Sequence, residues 1–382
     1  MGIRFLHSSD WQLGMTRAFL PAEAQARYTD DQFAAVRRLA AVAADTGCGF
    51  VVVAGDVFEV FRPSRAVVHR ALDALAAFTV PVYLLPGNHD PDNPAGCWSM
   101  PELVDGLPKG VHVLRDGRPH PVPGLPAEVV GAPWPSRRPD TDLVGAVLAG
   151  LAPPLPGTVR VLVGHGQLDV RSPNPDDPAL VRLEPVEAAL AAGLVHYVAL
   201  GDRHSTTEVA PAIRYAGAPL ATAFDEVAAN QALVVDVADG AERSLVTATA
   251  VPVGSWRFVV EQLDCTGDAG VAAVDAFLSG QSAKERTVVK LGLTGTLTFS
   301  QHAALQDVLA RHADLLACVQ CSARRSELAL VADGTDFGDL QLSGFARHAA
   351  DELAATAAGA GPGSEAALDA LLLLTRLAGR TA

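Results

Sequence analysis

The chain has no surplus of basic residues to offer a polyanion: 43 acidic against 29 basic side chains leave its 382 residues with a formal net charge of -14. Any contact with nucleic acid must therefore come from a local patch, from bound cations or from a partner subunit. A cysteine framework is also missing. The five cysteines, at 48, 97, 265, 318 and 321, are odd in number, and the single CVQC stretch at 318–321 lacks the second pair that a zinc site needs. Ordinary core thiols in a reducing cytoplasm are expected. No apolar run nears the roughly 20 residues of a membrane helix. The N-terminus has no charged segment followed by a short apolar stretch, and Leu6 fills the place where a myristoylation motif needs Ser or Thr. A soluble cytoplasmic protein without membrane contact is the expectation. There is no Walker-type GxxxxGK[ST] loop, so the chain is not expected to be an ATPase itself, and there is no internal repeat.

What the chain does have is an apolar share of 49%, enough for full cores in more than one domain. Short β-rich runs recur, each ending in Gly, Asp or His: IRFLHSSD, GFVVVAGD, VPVYLLPGNHD, VRVLVGHG and HYVALGDRH. Continuous apolar strands of this kind are buried on both faces, which predicts sheets covered by helices. Helical patterns lie between them, over residues 31–45, 64–78 and 185–192. In the second, Ser64 is a candidate N-cap, and Val67, Val68, Ala71, Leu72, Leu75 and Phe78 form one apolar face. The order strand, helix, strand predicts an α/β domain over residues 1–255. From Arg257 the pattern becomes strand, helix, strand, helix, strand, a βαβαβ module over 256–336. Two Ala/Leu-rich helical stretches, 339–358 and 364–380, flank GAGPG and make up a tail over 337–382. Its run Leu371 to Leu374 either packs on the body or awaits a partner.

Five strand ends gather polar residues: Asp10 with Gln12, Asp56, Asn88 with His89 and Asp90, His165, and Asp202 with His204. Residues i and i+2 of a strand point to one side, so the Asp10 carboxylate and the Gln12 amide are expected to reach one object together. Each residue alone has a plain explanation, as a cap, a turn or a hydrogen-bonded structural histidine. Their clustering does not, because sites form at the carboxyl ends of strands in open α/β sheets. Oxygen and imidazole groups without cysteine suit Mg²⁺, Mn²⁺ or Fe²⁺ better than a structural zinc.

The order DWQ at 10–12, GD at 55–56, GNHD at 87–90, GHG at 164–166 and GDRH at 201–204 resembles the calcineurin-like metallophosphoesterases. FRPS at 61–64 and YAGAP at 215–219 look like the SbcD-type DNA repair exonuclease branch. The resemblance implies a two-sheet metallophosphoesterase sandwich flanked by helices, with the βαβαβ module as a capping domain and the helical tail as a partner-binding segment. It implies two divalent ions, Mn²⁺ first and Mg²⁺ or Fe²⁺ as alternatives. Asp10, Gln12, Asp56 and His204 would surround one, and Asp56, Asn88, His165 and Asp202 the other. His89 would lie beside the scissile phosphate, stabilising the transition state or protonating the leaving oxygen, while the ions hold a hydroxide in line with phosphorus. The partners implied are DNA and an SbcC-like coiled-coil ATPase, and a homodimer is compatible with them.

Two positions depart from that pattern. Gln12 and Asp202 stand where the family has His, and Glu59 stands where some nuclease relatives carry His. Both ligand replacements keep an oxygen able to bind a metal, and the extra carboxylate lowers the positive charge of the centre, which favours hard, oxygen-preferring ions. Arg62, Arg65 and Arg203 stand near the motifs as candidate phosphate contacts, although loop arginines are commonly solvated. Trp98 and Trp134 read as core. The leading expectation is a DNA nuclease subunit, with a small-molecule phosphodiesterase or phosphatase and a weakly catalytic scaffold for an ATPase as alternatives.

Overall fold

The computed structural model describes residues 2–379 except 173, 175, 239–244, 332–343, 358, 360 and 362. The chain divides into two compact units: Met1–Ala18 with Gln25–Trp256, and Phe19–Ala24 with Arg257–Ala382.

In the first unit the strands are β1 (Gly2–Ser8), β2 (Val51–Val53), β3 (Val82–Leu84), β4 (Val111–Val113), β5 (His120–Pro121), β6 (Ala127–Gly131), β7 (Val159–His165), β8 (Tyr197–Gly201), β9 (Thr207–Ala210), β10 (Ile213–Tyr215), β11 (Gln231–Ala238) and β12 (Leu245–Pro252). They form two six-stranded sheets, ordered β12-β11-β1-β2-β3-β4 and β5-β6-β7-β8-β10-β9. β1 to β4 run parallel, with His7 opposite Val52 and Val52 opposite Tyr83, as do β6, β7 and β8. The helices are α1 (Ala22–Asp45), whose first residues are counted with the second unit, α2 (Arg65–Leu75), α3 (Pro101–Gly106), α4 (Leu143–Gly150) and α5 (Leu183–Ala191).

Alternate residues of these strands serve different cores, as a period of two requires. Leu6, Val51 and Val53 pack with Phe33, Val36 and Val68 on the helix side of the first sheet. Phe5, Phe50 and Val52 face the other way, towards Val129, Val161, Val163 and Tyr197 of the second sheet. Leu162, Val198 and Leu200 then pack on Val144 and Val186 of α4 and α5. The result is helix, sheet, sheet, helix, which is why the sequence runs are apolar without alternation. α2 starts where Ser64 accepts a hydrogen bond from Val67 N, and it buries Val68, Ala71 and Leu75. α1 begins nine residues before the expected Asp31: Pro21 precedes its first turn, residues 22–27 are strong helix formers, and Ala24 and Tyr28 are buried.

The second unit carries β13 (Arg257–Asp264), α6 (Gly267–Ser279), β14 (Thr287–Thr298), α7 (Phe299–Ala313), β15 (Cys318–Cys321), β16 (Glu327–Val331), α8 (Phe345–Ala357) and α9 (Ser364–Gly379). The twelve-residue β14 pairs in parallel with β13 on one side; on the other, Val288–Leu291 pair with β15 and Thr294–Thr298 with β16. This fourth strand lies beyond the expected βαβαβ pattern. Thr298 and Gln301 close a capping box at the start of α7. The expected module end at 336 and tail-helix start at 339 fall outside the described residues, as do two residues of GAGPG. In the tail, Leu371 is buried with Phe299 and Ala350, whereas Leu373 is exposed. All five cysteines are free. No helix among the described residues is long and apolar enough to cross a membrane.

Candidate metal centre

Beyond Ser8 and Val53, the ends of β1 and β2, the two chains stay hydrogen-bonded side by side: Asp10 N to Gly55 O at 3.1 Å, Gln12 N to Asp56 O at 2.9 Å and Leu13 N to Val57 O at 2.9 Å. In this stretch Asp10, Gln12 and Asp56 have φ of 52°, 45° and 53°, and Asp202, just past β8, has 91°. Four of the six non-glycine residues with positive φ among the described residues are thus candidate ligands. Left-handed backbone at such residues costs about 1–3 kcal/mol each and concentrates at functional sites. This corrects the strand reading of Asp10 and Gln12. Each has left-handed backbone after the strand has ended, with no period of two involved: Asp10 lies with Asp56 and His165, and Gln12 with His204.

Glycines make the space. A Cβ at Gly55 would lie 2.1 Å from His165 Nδ1, and one at Gly201 1.7 Å from Ala54 O. The spacing GD, GH, GD in the sequence therefore reports close approach of three strand ends.

The carboxylates of Asp10 and Asp56 and the imidazole of His165, all buried, place ligand atoms within 4.8 Å of one another. His165 Nε2 lies 2.7 Å from Asn88 Oδ1, 3.4 Å from Asp56 Oδ2 and 3.8 Å from Asp202 Oδ1. Its Nδ1 faces the carbonyl of Ala54 at 2.8 Å. A carbonyl only accepts, so Nδ1 carries the proton and Nε2 is the atom presented to the site. Asp202 joins from its backbone, its N–H donating to both oxygens of Asp10 at 3.0 and 3.3 Å, while about a third of its side chain is exposed.

His204 faces Gln12, with Nε2 to Nε2 at 3.0 Å. Its Nδ1 lies 3.0 Å from Glu226 Oε1 and 2.8 Å from Thr222 Oγ1, and Thr222 also donates to Glu226 through both its backbone N–H and its hydroxyl. The sequence singled out neither Thr222 nor Glu226. A carboxylate behind a histidine fixes its tautomer and strengthens it as a ligand, but in the sequence Glu226 is only the second acid of an Asp–Glu pair in an Ala-rich loop, 22 positions beyond the histidine.

His89 donates its backbone N–H to Asp56 Oδ1 at 2.9 Å, and its Nδ1 lies 2.9 Å from the carbonyl of Glu59. Its Nε2 is thereby the atom left to reach a ligand. Asp90 accepts from Phe58 N and Gly87 N with one oxygen each, tying the loop after β2 to that after β3. Trp98 is core, and its indole N–H donates to the Asp90 carbonyl. Trp134, also buried, donates to His165 O at 2.8 Å and packs edge-on against that ring. Arg62 and Arg203 stand outside this cluster, both exposed; Arg203 holds Thr207 Oγ1, and Arg65 pairs with Glu102.

Three features suit a cation here. Gln12 Oε1 is buried without a hydrogen-bond partner. The donors are carboxylates, imidazoles and amide oxygens, the set preferred by Mn²⁺ and Mg²⁺. The cluster also holds positive charge. Burial alone would lower the two histidines, yet Asp56, Asp10 and Asp202 keep His165 well above the usual histidine range, and Glu226 and Asp10 raise His204 to about 9. Burial, with Asp56 beside it, raises Asp10 in spite of His204 and His165.

Residues 3–187 match the family model described as calcineurin-like phosphoesterase, a span that holds Asp10 to His165 and ends before Asp202. Solved structures that match include the crystal structure of TT1561 of Thermus thermophilus, at 12% identity and a TM-score of 0.39, covering 66% of this chain and all of that one. Another is GAP50, the anchor in the inner membrane complex of Plasmodium, at 11% identity and a TM-score of 0.42, covering 66% of this chain and 85% of that one. No curated protein matches the chain.

Proposed function

Taking residues 3–187 as a calcineurin-like phosphoesterase domain, whose family supports metal-dependent phosphoester hydrolysis, we propose that this chain is a DNA nuclease, the exonuclease/endonuclease subunit of an SbcCD-like repair complex. Its partners in this reading are DNA and an SbcC-like coiled-coil ATPase, in the cytoplasm. The observation that carries it is the linked cluster at five strand ends, with Asp10, Asp56 and His165 at its centre and Gln12 Oε1 left for a ligand.

Asp10, Gln12, Asp56 and His204 would hold one divalent ion, and Asp56, Asn88, His165 and Asp202 the second, with Mn²⁺ the preferred metal of this oxygen-rich set. When bound, such a pair supplies Lewis-acid polarisation of the phosphoryl oxygens and makes water acidic enough to attack at neutral pH. The chain's own residues do the rest. Glu226 and the Ala54 carbonyl orient the two histidines, so neither must reorganise. Glu59 O holds Nδ1–H of His89, which leaves Nε2 to hydrogen-bond a phosphate oxygen or pass a proton to the departing one. The segments that resemble the nuclease branch support the site. Phe61 O accepts from Cys97 N, and Ala218 N donates to His204 O; a Cβ at Gly217 would lie 2.6 Å from Thr206 N.

The test is hydrolysis of linear duplex DNA by the purified chain, with and without the ATPase, in Mn²⁺, Mg²⁺ and Zn²⁺. Manganese-dependent cutting that the ATPase stimulates supports the nuclease. Turnover of a chromogenic diester without any cutting of DNA would assign the chain to small phosphodiesters instead.

A further inference from the structure

The arginines of the first unit fall into two groups. Away from the metal centre they are held by carboxylates: Arg4 by Asp236, Arg37 by Asp73, Arg70 by Asp30, Arg115 by Asp92, Arg160 by Glu128 and Arg214 by Glu208. On the loops that leave β2, β6, β7 and β8 the situation is reversed for all but Arg182, which lies 3.9 Å from Asp169. Arg62, Arg137, Arg138 and Arg171 are exposed and make no side-chain hydrogen bond or ion pair among the described residues, and Arg203 holds only a threonine hydroxyl.

These loops also carry the site. Arg137 and Arg138 follow Trp134, which holds His165 O and accepts from Asp92 N through its own carbonyl. Arg171 ends the turn six residues after His165, and Arg203 separates Asp202 from His204. Arg171 and Arg203 both lie within electrostatic reach of the hydroxyl of Tyr215, which binds the backbone of Gly166 and Leu168 on either side of the residue two places after His165.

Several acids on the same loops are spent internally. Asp142 caps α4 and takes Arg182 N, and Asp169 accepts from Val170 N and Leu183 N. Asp177 accepts from Ala179 N, and Glu226 from Thr222 and His204. Of the exposed acids, Asp140, Asp176 and Asp225 remain outside such bonds, against five arginines, while the carboxylates of Asp202 and Glu59 face His165 and His89 of the centre. In a chain of net charge -14, five guanidinium groups without a carboxylate partner on this edge, against Arg38 alone on α1, are a local field of the opposite sign, and planar guanidinium suits phosphate.

We propose that Arg137, Arg138 and Arg171, continuous with Arg203 and Arg62, form a phosphate track that binds successive phosphates of one DNA strand beside the metal centre, selecting long phosphodiesters over small ones. This rests on the nuclease reading. Each guanidinium that neutralises a phosphate displaces a condensed counterion, so the track writes itself into the salt dependence of binding.

The experiment measures binding of a fluorescein-labelled single-stranded oligonucleotide to the full chain by anisotropy, from about 50 to 200 mM KCl. Replacing Arg137, Arg138 and Arg171 together by Gln should flatten the slope of log affinity against log salt by about two. The triple Lys variant should restore the slope, and Arg4→Gln, at the opposite end of β1, should leave it as in the wild type. An unchanged slope in the Gln variant while the wild type still cuts DNA would overturn the track alone. A wild type that neither binds nor cuts DNA with any metal would overturn the nuclease reading and the track together. Loss of binding in the Lys variant as well would mean that the loops act by shape, which also overturns it.

Discussion

Nε2 of Gln12 and Nε2 of His204 are 3.0 Å apart, and only one of two nitrogens in contact can donate. With Nδ1–H of His204 committed to Glu226, Nε2 of the neutral ring, the form that a metal binds, accepts from the Gln12 amide. The amide oxygen is then turned elsewhere, buried and without a partner. The contact with His204 thus occupies the amide nitrogen and leaves the oxygen free. Gln12→His, which offers an imidazole lone pair in place of an amide oxygen, should tighten binding of the first metal in calorimetric titration. Unchanged affinity would mean that Gln12 holds no metal.

Glu226 acts one step behind. Glu226→Gln keeps the shape but removes the negative charge that fixes His204, and should weaken metal uptake about 10- to 100-fold. Equilibrium dialysis against Mn²⁺ checks this. An affinity equal to the wild type would show that Thr222 alone suffices to orient the ring.

His89→Ala should lower kcat by about 10²- to 10⁴-fold while both metals stay bound. The two readouts separate chemistry from assembly, since the backbone N–H that His89 gives to Asp56 survives the substitution. Retained turnover would show that Nε2 of His89 does not touch the reacting phosphate.

His7 offers a pH signature away from the centre. Fully buried on β1 and bonded to the Tyr197 hydroxyl, its imidazole is pushed down to about 3, burial outweighing a backbone hydrogen bond at Leu200. Between that value and the unfolded value near 6.5 the unfolded chain binds the proton and the folded chain does not, so stability falls as pH drops through this window. Relative to His7→Leu, the wild type should lose about 2 kcal/mol from pH 7 to pH 5 in urea unfolding. Parallel curves for the two proteins would show that His7 is protonated when folded.

The sandwich was legible because its strands are short, apolar and punctuated: Phe5 and Leu6 serve two different cores, and no alternation is needed to say so. The candidate ligands were legible because each follows such a strand. The backbone that joins them was not. Asp10 and Gln12 looked like one face of a strand, yet both have left-handed backbone in a stretch hydrogen-bonded alongside Gly55 and Asp56. Glu226 was invisible for a similar reason, since its role depends on a loop folding back over 22 residues. β16 escaped notice because a long β14 can take two partners end to end, which no local pattern announces. The first turns of α1 were missed because Ala, Gln and Arg carry helix propensity without an apolar stripe.

The left-handed Asp202 carries a further consequence. Its carboxylate accepts no hydrogen bond among the described residues, and its backbone, at φ 91°, suits glycine better than aspartate. Asp202→Gly should relieve about 1 kcal/mol of net strain, raising the melting temperature by a few degrees in the metal-free protein, and should lower manganese uptake. A chain that grows hardier as it loses its ions would mean that durability and chemistry compete at this one position, so that thermal hardening, followed blindly, would select the inert form.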